Sequence, residues 1–500
     1  MKKYILLLLF FSSTVFAGYS TPGTGRSWNL DSLVVHSGGS VTFSSGIYFF
    51  NDTLSVSQSD TLKVLINATI KIVPVGVFNV YGTLIINPPD SVKITAVNTT
   101  QGFYEMRLDD FSDASLMKKM IFEYSVNGIH LLNTSPLIDS CTIRNNCFNN
   151  SSSTAPAINL FYSDATISHC KIYRNYKVAI GGGANIPNAP QILYNEIYEN
   201  NISNSNVSQI NLGSSGFGIT VIKGNIIRGL YINAGGIATL PIGSLVISIE
   251  NNIITHNRYG IAIQNTNTDA VIRGNVIDSN NIQGLPLSGG SGINFNGNST
   301  LTAVVSRNFI RGNLWGITIQ STAKPNLGNL SNADTSDDGF NYIYWNSNSD
   351  TIYDLYNNTP DSIKAENNYW GTSNLDTVEA HIFHYPDNPS LGYVDYLPIY
   401  IPVAVRETQN GIPSGYKLYN VYPNPFNPTA LIKYDIPKLS YVSIKIFDIT
   451  GKEVKLVEYD LKQTGTYEVM FDGSNLSSGI YLCRVEAGSF VDTKKFILLK

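Results

Sequence analysis

Charge is what this chain lacks. Only 14% of its 500 residues are Asp, Glu, Lys or Arg, against roughly a quarter in ordinary soluble domains. Its 33 basic and 37 acidic residues leave a net charge of −4, so there is no basic field to hold a nucleic acid. Cysteine is scarce as well: Cys141, Cys147, Cys170 and Cys483 are too few for a disulfide framework and form no Cys-x-x-Cys pair for zinc. Long apolar runs are missing. The run Tyr4–Phe11 is too short to span a bilayer, and nothing after it is apolar enough to try. In place of charge stand 54 Asn, 41 Gly and 30 Tyr, a composition that forms helices poorly. Aromatics at 11% argue against disorder.

The first 17 residues read as an address. Lys2-Lys3, the short apolar run, and small residues Val15 and Ala17 at −3 and −1 make residues 1–17 a signal peptide cut before Gly18. The mature protein then carries no transmembrane segment and passes through the periplasm to the surface or the medium.

A short phrase recurs through the middle of the chain: Asn or Cys, any residue, Ile, two residues, Asn. It begins at Cys141, Cys170, Asn195, Asn225 (a weaker copy), Asn252, Asn275, Asn308, Asn341 and, degenerate, Asn368. The intervals are 29, 25, 30, 27, 23, 33, 33 and 27 residues. Such self-similarity marks a solenoid. A single Ile between outward neighbours is a β pattern, and unequal intervals suit β-coils that shed extra residues as loops. Gly-Ile follows several copies, at Gly260, Gly292 and Gly316. Stacked Asn can hydrogen-bond along the axis through amide donor and carbonyl acceptor, and Asn also suits left-handed turns. Cys141 and Cys170 take the Asn place in successive coils, where parallel Cβ directions favour a small apolar stack over a disulfide.

These repeats resemble the right-handed parallel β-helix proteins of bacterial surfaces. The resemblance covers residues 18–402, with first coils at 62–86 and a closing coil at 367–398, about 13 coils in all. Residues 403–417 have linker composition. Residues 418–500 carry short alternating strands that predict a small Ig-like β-sandwich. The fold class expected is therefore all-β.

The last segment closely resembles the type A C-terminal sorting domain of type IX secretion. Its marks are the Pro-Asn-Pro-Phe-Asn-Pro run with Pro423, Asn424 and Pro425, the Phe-Asp-x-x-Gly element with Asp448 and Gly451, and Leu-Ser-Ser-Gly-Ile-Tyr with Gly479. The resemblance implies a translocon and a processing protease as partners, and delivery to the outer-membrane surface or the medium.

The repeat also serves as a ruler. Three residues after each start lies an outward column that includes Arg144, Tyr173, Tyr198, Arg228, Arg311 and Tyr344. Aromatic faces and Arg forks along a line suit a linear polysaccharide. The plainer reading is cross-strand pairing, Asp278 with Arg311 and Lys171 with Glu196. Catalysis needs converging carboxylates or a base beside a cation. The nearest constellation is His256, Arg258 and Asp278, with His256 otherwise a solvated turn residue. Asp334, Asp337 and Asp338 loosely resemble a calcium loop but lack its closing Glu, so turn chemistry is favoured and no cofactor is assigned, with calcium the alternative. The reading favours a noncatalytic glycan binder or adhesin. The alternative is a polysaccharide lyase or glycoside hydrolase acting on an extracellular acidic polysaccharide.

Overall fold

The computed structural model describes residues 18–500 except 153, 286–288, 350, 403–412, 414, 439, 463 and 489. The expected signal peptide and most of the expected linker lie outside the described residues. The chain forms two compact units that divide between Ile401 and Pro402.

In the first unit the described strands stack into three long, almost wholly parallel sheets of 14, 12 and 13 strands, here sheets I, II and III. One coil runs through Thr166–Ser168 in sheet II, Lys171–Tyr173 in sheet III and Val178–Gly182 in sheet I, then returns to sheet II at Gln191–Leu193. This is the expected parallel β-helix. The Ile of each repeat faces inward. Ile143, Ile172, Ile197, Ile227, Ile254, Ile277, Ile310 and Ile343 stand in register and are fully buried. Each contributes about 1.5–3 kcal/mol of burial. The column Ile129, Ile158, Ile180, Ile210, Ile237, Ile261, Ile293 and Ile317 does the same in sheet I.

The turns hold the amide chemistry. Asn195, Asn225, Asn252, Asn275, Asn308, Asn341 and Asn368 form one buried ladder between sheets II and III. Each Oδ1 accepts both the backbone N–H and the Nδ2 of the preceding Asn, from Asn195→Asn225 at 2.9 Å on to Asn341→Asn368 at 2.8–2.9 Å. A second ladder, Asn146–Asn175–Asn200 and Asn257–Asn280–Asn313–Asn346, runs between sheets III and I. The left-handed residue, however, is the one before each rung: Ser140, His169, Tyr194, Asn251, Arg307, Phe340 and Asn367 all have positive φ. Asn is therefore selected for its side-chain bonds, and the turn conformation falls mostly on other residue types. Cys141 and Cys170 are free thiols. They do not form a purely apolar stack, because Cys141 N–H donates to Cys170 Sγ at 3.4 Å and Cys170 N–H to Asn195 Oδ1 at 2.8 Å. They continue the ladder with sulfur as the acceptor.

The Gly of Gly-Ile is explained by crowding. A Cβ on Gly260 would lie 2.4 Å from the Gly292 carbonyl oxygen and 2.5 Å from Ile277 Cγ2. Short helices lie near both ends of the unit. Leu30–His36, with an Asn29/Ser32 capping box, buries Leu30 and Leu33. Leu375–Ala380 buries Val378. In the opening coils Asp60 accepts the N–H groups of Gly23, Thr24 and Arg26 and the Trp28 indole. Burial alone would raise its pKa, but these bonds outweigh it and hold the carboxyl below its usual range.

The second unit is a pair of antiparallel sheets. One carries Lys417–Leu418, Thr429–Ile436 and Gly465–Asp472; the other carries, in spatial order, Glu453–Lys462, Ser440–Asp448, Gly479–Ala487 and Phe490–Leu498. Phe426, Tyr434, Phe471 and Phe496 fill its core. Lys417, expected in the linker, already pairs with Asp435.

Candidate functional site

The Arg–Tyr column lies on the outer face of sheet III in the expected register, Arg144–Tyr173–Tyr198–Arg228–Thr255–Asp278–Arg311–Tyr344. Its side chains spend their chemistry on one another. Tyr173 and Tyr198 stack with centroids 4.9 Å apart and planes 3° from parallel, so each covers a face of the other. Arg144 donates to Tyr173 Oη at 2.8 Å and to Glu123 Oε2 at 2.8 Å. Arg228 lies over the Tyr198 ring and donates to Glu199 at 3.4 Å. Three members expected to face outward are buried: Asp278, Arg311, which pairs with it at 3.4 Å, and Tyr344, whose hydroxyl accepts from Arg311 at 3.3 Å. Tyr344 also packs edge-on against Trp345 and Tyr369. Lys171 pairs with Glu196 at 3.5 Å.

The members of the weak catalytic trio each have their own partners. His256, at φ +54°, is exposed and bonded to Thr255 Oγ1. Arg258 is buried against Asn206 and the Tyr259 ring. Asp278 is buried beside Arg311. The acidic segment folds as nested turns. Asp334 Oδ1 accepts Ser336 N–H at 2.8 Å, and Asp337 Oδ2 accepts from Asn326 and Asn332 at 2.6 and 3.0 Å. Asp338 contributes its backbone carbonyl to Asn367 at 2.8 Å. No group of three or more His, Cys, Asp or Glu able to hold a metal occurs among the described residues.

A concave surface lies instead on sheet I. Two adjoining cavities of about 400 and 350 Å³ share Thr154 and Asn211 in their linings. The floor is the central outward column, His130–Asn159–Gly181–Asn211–Ala238–Ala262–Asn294. Small residues at Gly181, Ala238 and Ala262 lower this floor. A second column, Gln264–Asn296–Gln320, flanks it. Turns from sheet III raise one wall with Asn206, Arg258 and Tyr259. The described lining contains no Asp or Glu. At one end His130 Nε2 contacts the Asn127 carbonyl at 3.1 Å, and burial lowers the imidazole pKa more than nearby Glu105 raises it. Burial also raises the Tyr259 phenol.

The amides set this surface apart. In the buried turns between the sheets the Asn side chains are tied into ladders. Here the side chains of Asn159, Asn211, Gln264, Asn294 and Gln320 are half-buried and bond to no described group. Thr239 Oγ1 in the same lining is buried and also unpaired among the described residues. Sequence reasoning measured the columns of sheet III and passed over this face. The available signal was the residue just after Gly-Ile: Ala262 and Asn294.

In the second unit the motif residues organise the sandwich. Asn424 Oδ1 accepts Ile497 N–H at 2.9 Å, and its Nδ2 donates to Lys495 O at 3.3 Å, between the exposed Pro423 and Pro425. Asp448 Oδ1 accepts the N–H groups of Thr450 and Lys452, and Gly451 supplies φ +84° to close that turn. Gly479 opens the strand that pairs with the last one.

Residues 107–301 match the family described as right handed beta helix region, and residues 420–499 match secretion system C-terminal sorting domain. No curated protein and no solved structure matches the chain. The chain is thus a β-helix protein that carries a secretion sorting domain. That domain implies handling by the type IX secretion system and a surface or secreted location. No described helix is long and apolar enough to cross a membrane.

Proposed function

We propose that this exported β-helix binds an extended polysaccharide, without cleaving it, along the sheet I groove. The supporting observation is the row of amides in register that bond to no described group. Each offers a donor pair and an acceptor at fixed spacing to a ligand rich in hydroxyls, above a floor low enough to seat a sugar chain. From His130 to Asn294 the floor crosses seven strands, roughly 30 Å at the strand spacing of about 4.8 Å. A lining without carboxylates among the described residues offers no acid–base pair inside the groove, which favours binding over hydrolysis. The stacked Tyr173–Tyr198 face is the poorer platform, because each ring already covers its neighbour.

The test is a panel of immobilised neutral and acidic polysaccharides probed with the mature protein and with the N211A/N294A double variant. At least one polymer should be retained by the wild type and released several-fold more easily by the variant, with no unsaturated or reducing products formed. Equal retention of both proteins, or no retention on any polymer, would sink the reading.

A further inference from the structure

The last strand, Phe490–Leu498, is the outer strand of its four-stranded sheet and pairs on one side with Gly479–Ala487. Its other side is only half covered. Ile497 N–H donates to Asn424 Oδ1, and Ile497 O accepts Phe426 N–H at 2.9 Å. Lys495 O accepts from Asn424 Nδ2, and Leu499 N–H donates to Phe426 O at 3.0 Å. Residues 495, 497 and 499 therefore turn their backbone groups away from the sheet, and the Pro-Asn-Pro-Phe segment meets them.

By the two-residue period of a strand, Val491 and Thr493 turn theirs the same way. The cover does not reach them. The Thr493 N–H is met only by the neighbouring Asp492 carboxylate at 2.7 Å, and no described group pairs with the Val491 N–H or with either carbonyl. Val491 is 52% exposed. Natural sheets usually shorten, charge or cover such an edge. Among the described residues this one is hydrogen-bonded up to Lys495 and left without a backbone partner beyond it, although Tyr416 stacks on Phe490 nearby.

We propose that the open half-edge, Val491 to Thr493, is where an extended strand of the export machinery adds to the sorting domain. The partner follows from the match of residues 420–499 to a sorting domain, which a secretion component has to read. The mode follows from the chemistry. An open ladder presents donors and acceptors at fixed register and accepts one more strand. Backbone pairing also reads the folded state of the domain and makes little demand on its side chains. The added strand would continue the line already occupied by Asn424 and Phe426. This inference is independent of the groove and its ligand.

The experiment uses the full chain in a host with a working type IX pathway. V491P removes the outward N–H and leaves every bond to Gly479–Ala487 in place, since proline is tolerated where the N–H faces away from the ladder; V491A keeps the N–H. V491P should accumulate several-fold in the periplasm while V491A is exported like the wild type. Wild-type export of V491P would overturn the proposal. Hydrogen exchange of the unsubstituted chain, alone and with outer-membrane vesicles from the same host, decides the matter should V491P misfold. Slower exchange at Val491 and Thr493 with vesicles supports the proposal. Unchanged exchange overturns it, as does slowing that depends only on the concentration of the chain itself, which would identify a second copy as the occupant.

Discussion

Gln209 Nε2 donates to Asn257 Oδ1 at 2.9 Å, across a coil that has Leu230 where the repeat would place a ladder asparagine. Its Oε1 accepts from Asn200 Nδ2 at 3.1 Å. Gln209 sits in register with the crowded glycine column of sheet I, two positions from where its neighbours carry outward side chains, and turns its amide inward. One longer side chain thus repairs a gap in the repeat. Q209A would leave a donor on Asn200 and an acceptor on Asn257 buried and unmet, at about 1–3 kcal/mol each. The loss should appear as a lower melting temperature and as faster amide exchange in the coils of Asn200 and Asn257. A melting temperature equal to the wild type would show that the bridge adds nothing.

Glu123 is buried between Lys93 at 2.6 Å and Arg144 at 2.8 Å. Burial by itself pushes its carboxyl up, yet the hydrogen bonds from Lys93 and Arg144 and their charges outweigh that and hold it below its ordinary value of 4.5. A carboxyl with a lowered folded-state pKa adds stability above its unfolded pKa and loses it as the pH falls through the folded value. The wild type should therefore lose stability below about pH 4.5. E123Q should be less stable at pH 7 and change less on acidification, as read by urea unfolding at pH 7 and pH 4. Parallel pH curves for the two proteins would refute this.

Asp354 behaves in the opposite sense. It occupies the place after Gly316 in the glycine column and ends the second ladder, accepting Asn346 Nδ2 at 2.9 Å on Oδ1, while Oδ2 faces His381 Nδ1 at 3.0 Å. Burial dominates and raises its pKa, with the bonds from His381 and Asn346 only partly offsetting it. A carboxyl raised in the fold gives stability that is complete below its unfolded pKa, 3.8, and is lost as pH rises through the folded value. D354N keeps the acceptor for Asn346 and removes the buried charge. Its stability relative to the wild type should rise from pH 4 towards neutrality, whereas H381A should steepen the loss. A difference between D354N and wild type that does not vary with pH would contradict the assignment.

The sequence made some of this legible because repetition and burial coincide. The central Ile and the Asn rungs recur as letters, since each must fit the same interior place in every coil. The groove does not recur as a letter. Its floor reads Asn159, Gly181, Asn211, Ala238, Ala262 and Asn294, because an outer face is constrained by what it meets and not by the stack beneath it. The burial of Arg311 and Tyr344 was hidden for another reason. Alternation predicts which side of a strand a residue faces, and says nothing of what covers that side. The left-handed turn residues were missed because a geometry shared by Ser140, His169 and Arg307 leaves no common residue type to read.

Ala262 separates the two faces that compete for the ligand. It lies in the groove floor between Ala238 and Asn294, on the outward side of its strand, and is only 3% exposed because its neighbours cover it. A262F would lift the floor by the height of a ring and push aside the side chains that cover Ala262, at about 1–3 kcal/mol, so its melting temperature is read beside its retention. Polysaccharide retention should fall at least tenfold, which corresponds to about 1.4 kcal/mol. On sheet III, Y198A removes one ring of the stacked pair and the support for Arg228, and should leave retention unchanged. Affinity electrophoresis of the two variants with a retained polymer reads both outcomes on one gel. If A262F is retarded like the wild type while Y198A runs free, the ligand lies on sheet III and the groove assignment fails.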